Sequence, residues 1–215
     1  ALADVEEFRE RARALDCRIT GVHAHLGSGV LDVAHFRETY AALAALAEQF
    51  PDVVRLSLGG GLGVPSRPED QPLDLDALAA ALAEVRRHYP QYRVWMEPGR
   101  YPVAEAGVLL ARVTQVKTKG AHHYVGVDTG MNSLIRPALY DAWHPIVNLT
   151  RLADVADATC TIVGPICESG DVLGSNRRLP TPREGDVLLV AQAGAYGHVM
   201  ASRYNLREPA AEVLL

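Results

Sequence analysis

The 215 residues carry 21 basic and 26 acidic side chains for a net charge of −5, with no basic stripe, which argues against a nucleic-acid partner. No apolar run approaches the ~18 residues of a membrane helix, so no membrane span is expected, and the first residues do not read as a signal peptide. With 48% apolar residues the chain can bury a real core, and its three cysteines, odd in number and without metal spacing, point to a reducing, cytoplasmic setting.

Val5, Phe8, Ala12 and Leu15 recur at helical spacing, which predicts an amphipathic helix over residues 4–15. Cys17 to Ala24 reads as a strand that closes on His23-Ala24-His25-Leu26-Gly27-Ser28-Gly29. Asp32 is the expected N-cap of a helix with Phe36, Tyr40, Leu43, Ala47 and Phe50 on one face, stopped by Pro51. Val53 to Leu58 is a second strand, ending in Gly59-Gly60-Gly61-Leu62-Gly63. After a Pro-rich loop, Asp74 caps a helix with Leu75, Leu78, Leu82, Val85 and Tyr89 on its stripe, ended by Pro90. The third strand, Arg93 to Met96, ends in Glu97-Pro98-Gly99-Arg100, where a carboxylate, backbone amides and a guanidinium converge. Pro98 disfavours helix for Glu97, and Gly99 lets the backbone come close to a bound group.

Strand–helix–strand–helix–strand with short apolar strands predicts a parallel sheet. Its three C-terminal strand ends carry the glycines, histidines and acid, the edge at which (β/α)₈ barrels and doubly wound sheets hold ligands. Beyond Pro102 the texture changes. Val108 to Val116, Tyr124 to Val127, Ala158 to Val163 and Asp186 to Ala191 read as strands, with one helix near Asn132 to Tyr140. The reading is thus α/β followed by a mostly antiparallel β-rich domain, 1–105 and then 106–215.

Several residues admit more than one reading. His23 and His25, two apart, suit a zinc pair, a structural pair or, for His25, contact with a cofactor; a zinc pair needs further His or Asp ligands and Gly59-Gly60-Gly61 offers none, which favours the last. Leu26-Gly27-Ser28-Gly29 has the hydroxyl and amides of an anion loop. Gly59–Gly63 is no dinucleotide fingerprint, since Val64 stands where a glycine or alanine is required, but it can cradle a phosphate. Cys17 and Cys160 lie in strand-like runs and read as small core residues. Cys167, beside Glu168 in a polar loop, is either a thiol proton donor or a packing residue. Arg136 and Tyr140, four apart, are a surface pair or a clamp for a carboxylate. Gly194-Ala195-Tyr196-Gly197 presents a tyrosine from a turn, and His122-His123 reads as solvated loop. The only lysines are Lys117 and Lys119, against nineteen arginines.

Six segments in order, GVHAHLGSG, LSLGGGLG, MEPGRY, DTGMNSLIRPALYDAWHPI, GPICESGD and AGAYGHVMASRYNLREPAAEVL, resemble the fold-type III pyridoxal-phosphate (PLP) decarboxylases. Within them the match is with the group that acts on meso-diaminopimelate. The resemblance implies decarboxylation of meso-2,6-diaminopimelate to L-lysine, the last step of lysine biosynthesis, and a PLP-binding (β/α)₈ TIM barrel followed by a β-rich domain. It implies that His25 stacks on the PLP ring and Glu97 pairs with the ring nitrogen. Ser28, Gly60, Gly61 and the Gly99-Arg100 amides would hold the phosphate, with Tyr196 assisting. Arg100, Arg136 and Tyr140, near Tyr196, would grip the distal carboxylate, and Glu168 the distal amine. Cys167 would protonate Cα in the partner's site of a homodimer with shared active sites; no metal is implied.

One departure stands out. Family members begin with a barrel strand carrying the lysine that bonds PLP, and neither Lys117 nor Lys119 matches that motif. The expectation is a C-terminal part of a longer enzyme, short of its tail as well and inactive alone, with sheet edges left unpaired. The alternatives are an ornithine/arginine-type PLP decarboxylase and a catalytically inactive regulatory homologue lacking the lysine.

Overall fold

The computed structural model describes residues 4–120 and 122–215, which form two compact units. The first comprises Ala1–Pro65 and Gln71–Gly99; the second comprises Ser66–Asp70 and Arg100–Leu215. The units divide at Gly99/Arg100, and a five-residue piece of the Pro-rich loop belongs to the second.

In the first unit α1 (Val5–Ala14), β1 (Gly21–His23), α2 (Val33–Ala47), β2 (Arg55–Ser57), α3 (Leu75–His88) and β3 (Arg93–Trp95) alternate along the chain. The strands form a parallel sheet in the order β1-β2-β3, with His23, Ser57 and Trp95 side by side in register. Both expected caps are present: Asp32 accepts the Ala34 N–H at 2.9 Å and Asp74 accepts the Ala77 N–H at 2.8 Å. Arg86, Arg87 and His88 in the last turn of α3 complement its dipole. Tyr40, Leu43, Ala47, Phe50, Leu56, Leu58 and Val85 make the core, so the predicted stripe of α2 is the buried one. The predicted stripe of α1 is used only in part: Ala12 is buried, whereas Phe8 and Leu15 are exposed. Leu75, at the start of α3, is exposed too.

The second unit contains β4 (Leu109–Lys119), β5 (His122–Val127), α4 (Arg136–Tyr140), β6 (Ile146–Asn148), β7 (Ala158–Val163), β8 (Val172–Leu179) and β9 (Val187–Val190). They form one six-stranded sheet in the order β6-β9-β4-β5-β7-β8. β4 is the spine: Leu109–Arg112 pair with β9, and the residues from Val113 onward pair with β5 across an irregularity between Val113 and Gln115. Leu109, Ala111, Val113, Val125, Val127, Ile162, Leu173, Leu188 and Val190 are buried together. The alternation that predicted these strands is therefore the alternation between core and solvent.

The sheet is mostly antiparallel, as expected, with one parallel pairing among the described residues, that of β5 with β7. Several other expectations need correction. Two strands, β6 and β8, lie outside the expected set. β8 contains Gly174 and Asn176, the latter at φ 55, and β6 is three residues long, so neither shows sustained alternation. The helix near 132–140 begins only at Arg136, because the residues before it form a turn in which Leu134 N–H bonds Gly130 and Thr129 bonds Ser133. Cys17 is exposed just beyond α1, not core, while Cys160 is buried as expected. His122 and His123 lie in β5, exposed, rather than in a loop. Among the described residues no helix is long and apolar enough to cross a membrane.

Candidate active site

At the C-terminal edge of the first unit's sheet the three strand ends hold each other. Pairing continues past the strands through Ala24 N–H to Ser57, Leu58 N–H to Trp95 and Glu97 N–H to Gly59. Gly59 (φ +65) has the Ala24 carbonyl oxygen 2.7 Å from where a Cβ would sit, and a Cβ on Gly60 would collide with the Glu97 carbonyl oxygen. Glycines there let three backbones converge.

That convergence fixes two side chains. His25 accepts the Gly60 N–H on Nδ1 at 3.0 Å, which places its ring proton on Nε2 and holds the ring plane. The Gly60 amide is thereby committed to His25. Glu97 is held through one oxygen: Ser57 Oγ donates to Oε1 at 2.7 Å. Ser57 Oγ also accepts the Gly59 N–H at 3.3 Å and lies 2.9 Å from His23 Nδ1. With its single proton given to Glu97, Ser57 accepts from His23, so His23 bears its proton on Nδ1, 3.5 Å from the same Glu97 oxygen. Glu97 Oε2 is left for another partner. Sequence reasoning did not single out Ser57; its only signal was a hydroxyl in the otherwise apolar Leu56-Ser57-Leu58. Among the described residues no group of three or more His, Cys, Asp or Glu is placed to hold a metal.

In the second unit the cationic groups gather around α4. Arg136, its first residue, is buried and donates from Nη1 to His144 Nε2 at 2.8 Å, while His144 Nδ1 donates to the Ala191 carbonyl at 2.9 Å. Burial pushes His144 down to about 4, with Arg136, Arg100 and Arg177 acting the same way against the Ala191 bond. The neutral imidazole thus accepts from Arg136 and aims it. Arg136 itself is lowered by burial and then by Arg100, and its charge is favoured by the hydroxyl groups of Tyr140 and Tyr196. The Arg100 guanidinium lies over the Tyr196 ring, 5.5 Å from its centroid, and Tyr196 holds a left-handed backbone at φ 57. For a bulky side chain that conformation is strained, and it presents the ring to Arg100. Tyr140 is exposed at the other end of α4. Arg100, Arg136, Tyr140 and Tyr196 therefore share one neighbourhood; His144, unmarked by spacing, organises it.

Cys167 and Glu168 sit exposed in the loop from β7 to β8. Glu168 accepts from the Tyr204 hydroxyl at 3.2 Å, and that bond raises the Tyr204 phenol, helped by the charges of Glu168 and Cys167. The loop is pinned by buried Asp171, which accepts the Met131 N–H at 2.6 Å and the Ile166 N–H at 2.8 Å. Gly130 and Gly164 flank the carboxylate so closely that a Cβ on either would overlap it. Ser28 is an exposed residue of the loop after β1, and Gly99 is exposed beside Glu97.

A family model described as pyridoxal-dependent decarboxylase, C-terminal sheet domain, matches residues 13–194. The chain belongs to that family. The diaminopimelate decarboxylases of Aquifex aeolicus and of Neisseria meningitidis serogroup A are 40% and 43% identical to it, over 98% and 100% of its length. The crystal structure of AQ1208 from Aquifex aeolicus superposes with a TM-score of 0.88 at 36% identity, covering all of this chain and 54% of that one. The chain spans about half the length of these curated relatives, 50% and 53%. The family's cofactor fits what the first unit offers: a locked imidazole and a carboxylate with one oxygen still available.

Proposed function

We propose that this chain is the C-terminal part of a cytoplasmic PLP-dependent enzyme that decarboxylates meso-diaminopimelate to L-lysine, the first unit belonging to its (β/α)₈ barrel. Two supports carry it: about 40% identity to relatives of that name, and the buried Arg136 locked by a neutral His144 beside Arg100. Two guanidiniums suit a distal carboxylate and would repel the cationic end of ornithine.

PLP would supply an electron sink for the pair left by departing CO₂. The chain's own side chains would orient the cofactor and the substrate. Glu97 Oε2 would accept the ring N–H and keep that nitrogen protonated, while Ser57 and His23 hold Oε1. His25 would stack on the ring, in the plane that the Gly60 amide sets. In the first unit Ser28, Gly61 and Gly99 would hold phosphate oxygens. Gly60, its N–H engaged by His25, would contribute close approach rather than a phosphate bond. Arg100, Arg136, Tyr140 and Tyr196 would bind the distal carboxylate and Glu168 the distal amine. Cys167 Sγ would return a proton to Cα, in the partner's site of a homodimer.

The test is CO₂ release by a full-length enzyme containing this segment, offered meso-diaminopimelate, ornithine and lysine in turn. Turnover on meso-diaminopimelate at least about a hundredfold above ornithine is expected, since a buried arginine left without its carboxylate strongly disfavours the wrong substrate. Equal or better use of ornithine overturns the reading. In the same enzyme Glu97→Gln should retain PLP yet lower kcat by about 10²-fold.

A further inference from the structure

We propose that the second unit carries an oxyanion site, separate from the groups assigned above, in a cavity of about 360 Å³ bordered by α4, β8 and the indole of Trp143. The argument begins with Arg177. It is only 6% exposed, and among the described residues its Nε and Nη1 have no hydrogen-bond partner. Its guanidinium carbon lies 3.1 Å from the Trp143 ring centroid, and that of Arg67 lies 4.9 Å from the same ring. Stacking uses the face of a guanidinium and leaves its in-plane N–H groups to seek acceptors. Burial and the Arg67 charge lower Arg177 to about 10, so it is still cationic at neutral pH. Asp141 opposes this, but two cations face one carboxylate there.

A buried guanidinium with unanswered donors is retained where something answers it. The cavity beside it has the right character: small walls at Ala138, Gly170 and Gly174, with Ser175 among its lining residues. A carboxylate or a phosphate group is the shared chemistry that two arginines recognise. The cavity also touches both elements that carry proposed substrate groups. Pro137 and Ala138 belong to α4, between Arg136 and Tyr140, and Gly170 belongs to the loop of Cys167 and Glu168. An anion bound there would brace both from behind.

The chain has two tryptophans, so a Trp95→Phe chain emits from Trp143 alone. Inorganic phosphate and, separately, glutarate are titrated at ionic strength held constant with chloride. A saturable change with at least one of them is expected, its half-saturation raised about tenfold or more by Arg177→Met and less by Arg67→Met. Response to phosphate alone marks a phosphate-bearing occupant, and response to glutarate alone a carboxylate-bearing one. Because Arg177→Met removes a buried group, the Arg177 Nε–H resonance is followed in the chain with Arg177 intact, where it should move in the same titration. Silence toward both anions, an equal response in Arg177→Met, or an unmoved Arg177 Nε–H overturns the proposal and leaves a purely structural stack.

Discussion

The two units bury their sheets in different ways. In the first, only β2 is buried; β1 and β3 both run exposed, half-buried, exposed, and Trp95 is among the exposed large side chains. The second sheet buries alternate residues of β4, β5, β7 and β9 in one core. A three-stranded parallel sheet depends on its helices for closure, whereas six strands with a common apolar face supply their own. The candidate chemistry follows the same division. Glu97 and His25 are exposed and held by hydrogen bonds at a sheet edge, while Arg136 and His144 are buried and held by packing as well.

The largest expected effect sharpens that contrast. Asp171→Ala leaves the buried Ile166 N–H and the half-buried Met131 N–H without their acceptor and should cost roughly 4 kcal/mol. With Trp143 in the second unit and Trp95 in the first, single-tryptophan variants can follow each unit in urea. The loss should appear in the Trp143 transition; an equal loss at Trp95 would mean that the units do not unfold separately.

His144 comes next. Its folded value, about 4, lies below the ordinary 6.5, so the unfolded chain takes up a proton between these values and the folded chain does not. Stability from this group is complete above about pH 6.5 and falls as pH drops toward 4, by at most roughly 3 kcal/mol. Comparing urea midpoints of wild type and His144→Gln from pH 7 to 4 checks this, with a flatter profile expected for the variant. A parallel slope in both would remove His144 as the cause.

Hydrogen exchange should separate the sheets more gently. Amides of β1 and β3 should exchange at least about tenfold faster than those of β5 and β7, since an edge opens without unfolding the core. Equal protection would break the comparison outright. The smallest effect is at a cap: Asp74→Ala should cost about 1 kcal/mol, in the first unit only, read from its urea midpoint.

Much of this protein was legible residue by residue. Caps at Asp32 and Asp74, the stripe of α2, the stops at Pro51 and Pro90, and the alternation in β4, β5, β7 and β9 are local effects, decided within a few neighbours. The glycines and acid at the three strand ends were legible for the same reason, and so was the family to which they belong. Other features depended on partners far along the chain. Ser57 reaches Glu97 across 40 residues, Asp171 reaches Met131 across 40, and His144 reaches Ala191 across 47. β8 became a strand through pairing with β7 despite a sequence that does not alternate, and Arg177 came to lie against Trp143 because that pairing buried it. Local propensity can declare a helix end or a turn, but a buried hydrogen bond exists only once the chain has brought its two halves together.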